Sequence, residues 1–187
     1  MDQFSYLSVL LSIILGLAIT QVLKGFRGIL LARRRVVVYW PVLVWAVLLL
    51  SIFVQSWWAS FGMRDIAQWT FPAFSIVLLQ TVLMYMLAAL VFPDFHGDET
   101  TDLRAHYLDH TGWFFGLMVA ALVTSLFKDV VLSGHFSDAA NVAFHLCFIA
   151  SSIVAMLTRR EGYHKGLSVV GLAMFAVYTL ALFSRLR

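Results

Sequence analysis

The sequence predicts an all-α, polytopic membrane bundle of six transmembrane helices. Three observations carry that reading. Of the 187 residues, 61% are hydrophobic and 12% are charged, whereas soluble domains carry roughly 45–50% and 25%. The apolar residues fall into six runs near the ~20-residue length that a hydrocarbon core requires. All ten carboxylates (Asp2, Asp65, Asp94, Asp98, Glu99, Asp102, Asp109, Asp129, Asp138 and Glu161) lie between the runs or at their ends.

The runs cover about 5–31, 38–60, 70–92, 111–132, 139–157 and 165–184. Met1-Asp2-Gln3 lacks a basic signal-peptide start, and the first run is too long for a signal core, so it is expected to be retained. Tyr39, Trp40 and Pro41 open the second span, Trp57, Trp58 and Trp69 frame its far end, and Trp113 opens the fourth. Aromatic rings with a polar handle collect at headgroup level, which supports these limits. Phe92-Pro93-Asp94 ends the third span, because proline cannot continue helical hydrogen bonding. Asp98, Glu99 and Asp102 suit the first turns of a new helix, where the macrodipole favours anions. That helix is expected to run unbroken into the fourth span. The length suits a single domain.

Orientation follows from the basic residues. Lys24, Arg27, Arg33, Arg34, Arg35, Arg104, Arg159, Arg160 and Lys165 share one side, nine in all; Arg64, Lys128, Arg185 and Arg187, four in all, share the other. The richer side is expected to be cytoplasmic, with both termini outside. The net charge of +3 is explained by this asymmetry. No basic patch interleaves with aromatics on a soluble surface, so nucleic acid is not an expected partner.

The first and fourth spans share a spacing. Ser8, Ser12, Gly16, Thr20 and Lys24 recur every four residues, as do Gly112, Gly116, Ala120, Thr124 and Lys128, at a constant offset of 104. Small residues on one helix face permit close packing in membranes. Ser75, Val77, Leu79, Tyr85, Leu87 and Ala88 match Ser168, Val170, Leu172, Tyr178, Leu180 and Ala181 at offset 93. Together these matches predict a 3+3 inverted repeat, with halves of about 5–92 and 100–184 and with helices one and four in contact. Such repeats are common in transporters.

Chemistry inside the spans is sparse. No carboxylate lies deep in a run, which argues against a carboxylate proton relay. His145 is the deepest titratable group, and a hydrogen bond to a neighbouring helix is its expected role. Gln21, Ser51, Gln55, Gln80, Thr81, Asn141 and Thr179 either line a shared cavity or bond one another. Lys24 and Lys128 snorkel to the two interfaces or mark an anion site at each mouth of a pathway. His106 and His110 stand four apart near His96, a weak metal-chelating pattern; a solvated face is the expected reading. Tyr107 follows His106 where a HExxH metalloprotease needs glutamate. Haem needs a facing histidine that His145 lacks in sequence, so no cofactor is expected, and a metal or haem is only the weaker alternative. Cys147 is the lone cysteine and behaves as a small hydrophobe.

The segments LSIILGLAITQVLKGFRGIL, LMYMLAALVFPDF and DLRAHYLDHTGWFFGL resemble those of an uncharacterised bacterial family of small multi-pass inner-membrane proteins. The resemblance implies a bacterial inner membrane and supplies no activity and no functional residues. The size and helix count are also similar to the substrate-binding S components of vitamin transporters. Those usually begin inside the cell, whereas this chain is expected to begin outside.

The leading functional expectation is a channel or transporter-like bundle that moves or binds a small solute or ion between two halves. Its pathway would pass Thr20, Gln21, Gln55, Gln80, Thr124 and His145. The alternative is an accessory subunit docking on another membrane protein, or on a second copy, through its small-residue faces or the aromatic second span. A metalloenzyme using the cytoplasmic histidines ranks third.

Overall fold

The computed structural model describes residues 3–66, 68–95 and 100–182. His96, Asp98, Glu99, Asp2, Arg185 and Arg187, and the last residues of the sixth predicted span, lie outside the described residues. The helices are α1 (Gln3–Leu31), α2 (Trp40–Ser60), α3 (Phe71–Leu90), α4 (Leu103–Ser133), α5 (Ala139–Leu157) and α6 (Glu161–Leu182). All six are long and apolar enough to cross a membrane. The chain is an all-α bundle of the integral, multi-pass membrane class, and each predicted span falls on one helix.

Helix starts are set by side-chain caps. Thr70 accepts from Ala73 N at 3.3 Å to open α3, and Asp138 accepts from Asn141 N at 2.8 Å to open α5. Asp102 caps α4, accepting from Arg104 N at 2.8 Å and Ala105 N at 3.2 Å. Short oxygen-bearing side chains satisfy otherwise orphaned first-turn N–H groups. Asp102 therefore stands just before the helix, where the sequence pattern had placed it within the first turn. The expected extension is formed, since α4 runs without a break for 31 residues. At ~1.5 Å per residue this exceeds a ~30 Å hydrocarbon core by a few turns. Gly134, at φ 77, ends α4 in the left-handed region that glycine alone enters freely.

The loops after α1 and α3 meet at one end of the bundle, which carries Arg33, Arg34 and Arg35 and is here termed the basic end. Val36–Val37 (β1) and Thr101–Asp102 (β2) form a two-residue parallel bridge there. The same end is tied by Arg104, which donates to Glu161, while Lys165 reaches the other Glu161 oxygen at 3.3 Å.

In the packing, α3 lies between α1 and α4 and packs on both; α4 also packs on α5, and α2 on α6. Trp45, Leu48, Leu49 and Phe53 of α2 are fully buried. The contact expected between α1 and α4 is not among the helix interfaces formed, because α3 occupies the space between them. The small-residue faces do not drive packing either. A Cβ added at Gly16 or Gly112 would meet nothing within 4 Å, and one at Gly116 would make ordinary contact with Met156. Nor do the halves pack alike. α1 rests on α3, whereas α4 reaches α6 through long side chains at the basic end. The packing thus gives the inverted repeat no support.

Close approach occurs instead at Gly25 and Gly28. A Cβ at Gly25 would collide with the Phe92 ring, and one at Gly28 with the Phe95 ring. Phe26 meets Phe92 edge-on at 5.2 Å, closing the joint between α1 and the end of α3. Gly25→Val should cost roughly 1–3 kcal/mol by overpacking, whereas Gly16→Val should stay within about 0.5 kcal/mol. Denaturation of the purified chain in detergent measures both; equal costs at the two glycines would contradict this assignment.

Candidate ligand cavity

Three helices present the same kind of face to one space. On α1 it is Ser8, Leu11, Ser12 and Leu15; on α3, Val77, Gln80, Thr81 and Met84; on α4, Ser125, Lys128, Asp129 and Leu132. Each set is spaced i, i+3, i+4, i+7, which is one side of an α-helix. Gln55, Ser56 and Ser60 of α2, Asn141 of α5 and Tyr178 of α6 complete the wall. The enclosed volume is about 290 Å³. Its lining extends to the end opposite the basic end, where it includes Gly62, Met63 and Ser137.

The cavity wall carries a polar network. Asp129 Oδ2 accepts from Ser137 Oγ and from Asn141 Nδ2, the latter at 3.4 Å. Tyr178 donates its hydroxyl to Asn141 Oδ1 at 3.0 Å. His145 Nδ1 lies 2.9 Å from the Asn141 carbonyl, and its N–H donates there. Four side chains from α4, α5, α6 and the loop before α5 are thereby held in one orientation. Lys128 is half-buried on the wall. The ion pairs formed among the described residues are Arg64–Asp65, Arg104–Glu161 and Lys165–Glu161, and none includes it.

Further in lies an apolar pocket of about 100 Å³, lined by Leu49, Phe53, Leu87, Met118, Phe148 and Phe175 among others. Gln55, Ser56, Gln80, Met84, Ser125 and Tyr178 line both spaces, so the two adjoin. Towards the basic end the interior is closed by rings. Trp45 meets Phe114 at 5.6 Å and Phe115 at 5.3 Å, both edge-on. Tyr107 meets His164 edge-on at 5.3 Å. His164 is fully buried. A carbonyl oxygen only accepts, so His164 Nε2 donates to Thr158 O at 2.9 Å. The Tyr107 hydroxyl then donates to His164 Nδ1 at 2.9 Å.

The sequence-predicted pathway residues divide. Gln55 and Gln80 line the cavity and His145 lines the deep pocket. Thr20 does not contribute: it is exposed and bonds the Gly16 carbonyl of its own helix at 2.8 Å. Gln21 donates to the Tyr85 hydroxyl at 3.2 Å, joining α1 to α3. Thr124 is not among the lining residues of any cavity found. With Lys24, Gln21 borders a separate groove of about 520 Å³ at the basic end. Ser8 and Ser12, expected in helix packing, line the cavity instead, while Ala120 is half-buried and lines neither space. Lys128, Asp129, Asn141 and Tyr178 were visible as separate residues. Their convergence was not, because it depends on how three successive helices rotate about their own axes, which no spacing in the sequence gives. Reading i+3 as well as i+4 steps from Lys128 finds the α4 face.

The described histidines do not assemble a centre. Among the described residues no group of three His, Cys, Asp or Glu side chains converges. His106 and His110 stack at 4.4 Å, with ring nitrogens bonded to the carbonyls of Leu90 and His106. Both are half-buried, where a solvated face was expected.

These features define a membrane helix bundle with an amphiphilic cavity towards one end. No known family pattern, no characterised protein and no solved structure matches the chain. With the exposed Cys147 replaced by serine, cysteines at Gln55 and Gln80 should react with a charged, membrane-impermeant thiol reagent. A cysteine at Phe114 should not. Rates differing by about tenfold or more are expected from burial; equal rates at Gln80 and Phe114 would contradict a closed floor.

Proposed function

We propose that the chain is a solute-binding, transport-type protein of a bacterial inner membrane, standing with its cavity open to the outside. One observation supports the reading: an amphiphilic cavity lined by all six helices adjoins an apolar pocket in the bundle interior, and edge-on rings of α2 and α4 pack on the side towards the basic end. Uncompensated polar groups in hydrocarbon cost roughly several kcal/mol each. A purely structural bundle is better served by an apolar interior. Here Gln55, Gln80, Lys128 and Asn141 face a common space large enough for water and a small solute. The preponderance of lysine and arginine at the basic end supports a cytoplasmic placement for that end.

The solute enters between the α1, α3 and α4 faces and is held against the Asp129–Asn141–Tyr178 network. Release to the cytoplasm requires the Trp45–Phe114–Phe115 floor to part. It also requires the Arg104–Glu161–Lys165 tie and the Tyr107–His164 bond to loosen. Such a bundle alternates between two states that the ligand biases. The path proposed from sequence through Thr20 and Thr124 is replaced by one along Gln80 and Ser125.

Proteoliposomes containing the purified chain test this with panels of small organic acids, amines, neutral solutes and inorganic ions. Uptake of at least one class is expected. Ser125→Trp, which fills the junction of the two spaces, should reduce that uptake about tenfold or more. Absence of uptake for every class, or uptake indifferent to Ser125→Trp, would contradict the proposal.

A further inference from the structure

We infer that the ligand is a small organic carboxylate, its anionic head paired with Lys128 and its apolar body in the deep pocket. The inference deepens the cavity reading above and rests on it. Lys128 lines the cavity on the α4 face, between Ser125 and Leu132. No hydrogen bond or ion pair occupies its ammonium among the described residues. The neighbouring Asp129 carboxylate acts on it through space, but its Oδ2 is held by Ser137 and Asn141 and it forms no ion pair with Lys128 within 4 Å. A half-buried cation in a membrane bundle calls for an anion or water. The cavity supplies a place for either, directly in front of the side chain.

The head group is also constrained by what surrounds it. A carboxylate accepts only, and the polar side chains at the junction of the two spaces are rich in donors: Gln55, Ser56, Gln80 and Ser125. A ligand ammonium would meet the Lys128 charge; Asp129 keeps its own charge with Oδ2 held by Ser137 and Asn141, and the amine in the test below reads whether it competes. Beyond the junction the lining turns to leucine, methionine and phenylalanine. An inorganic anion leaves that pocket unfilled, whereas an aliphatic or aromatic tail fills it. The alternative role for Lys128, a basic residue favouring the helix C-terminus, leaves ligand selectivity unchanged and is separated by the test.

The test compares hexanoate, hexylamine and hexanamide, which share a tail and differ in the head. Binding is read by titration calorimetry on the full chain in lipid nanodiscs. Hexanoate should bind about tenfold or more tightly than the other two. Lys128→Met should remove that preference and Lys128→Arg should keep most of it. A butanoate-to-dodecanoate series then identifies the source. Affinity levelling off at short chains points to a water-borne acid, and affinity rising to dodecanoate to a membrane-resident fatty acid; both carry the carboxylate. Equal binding of the three heads, or a preference untouched by Lys128→Met, would overturn the inference and leave the cavity reading intact. Binding by none of them overturns the inference, and the uptake panel then decides separately whether the cavity reading survives. Should Lys128→Met not fold, loss of hexanoate binding on Ser125→Trp with Lys128→Arg unaffected carries the same decision on the site.

Discussion

Inside a membrane, a polar group must meet another polar group or water, and the shape of this bundle follows from where those meetings occur. Lipid supplies neither partner, so each glutamine, asparagine, lysine and histidine within a span restricts how its helix rotates. At the basic end the polar groups pair directly, as in Tyr107–His164–Thr158 and Arg104–Glu161–Lys165. The space left over fills with aromatic rings. At the other end Gln55, Gln80, Thr81, Lys128 and Asp129 converge on a space instead of filling it. The interior between α2, α4 and α6 is therefore filled by rings at the basic end, with the groove beside α1 and α3 separate from it, and is hollow at the other end.

That asymmetry is what supports the proposed solute-handling reading over a packing scaffold. The rings of the closed end are held on α2 and α4, and the ties outside them join α4 to α6. The hollow end is built from all six helices. Opening the closed end thus involves a movement of α4 relative to α2 and α6. α4 also carries the Ser125–Lys128–Asp129 wall, so one helix connects the site to the closure. In the proposed reading α4 takes two discrete arrangements, which is what a ligand-biased equilibrium requires.

The spans were legible because hydrocarbon thickness imposes a length and a composition on each helix separately. Asp102, Asp138 and Gly134 mark helix ends by chemistry local to a few residues, and such signals survive without knowledge of the fold. Packing partners were not legible. The four-residue spacing in α1 and α4 identified faces with small side chains but not what stands before them, and α3 stands between the two helices. Gly25 and Gly28 matter because of Phe92 and Phe95, residues that no periodicity connects to them. His164 read as one of several histidines near an interface, yet it is fully buried because Tyr107 and the Thr158 carbonyl satisfy both its nitrogens. In the site, glutamines and lysine were recognisable as unusual for a span. Their common destination depends on the rotation of three helices about their own axes.

The central claim is that water enters from one end and stops near the middle. Electron paramagnetic resonance accessibility along α3 and its continuation tests it most directly, with single spin labels placed from Val77 to Phe92 in nanodiscs. The account predicts a polar relaxant reaching labels at 80 and 81 strongly and near-complete protection at the buried Leu87 and Val91, with Ala88, Ala89 and Phe92 set apart because they line the separate groove at the basic end. Uniform protection along the whole series, or polar access persisting to 91, would contradict a cavity closed at the basic end.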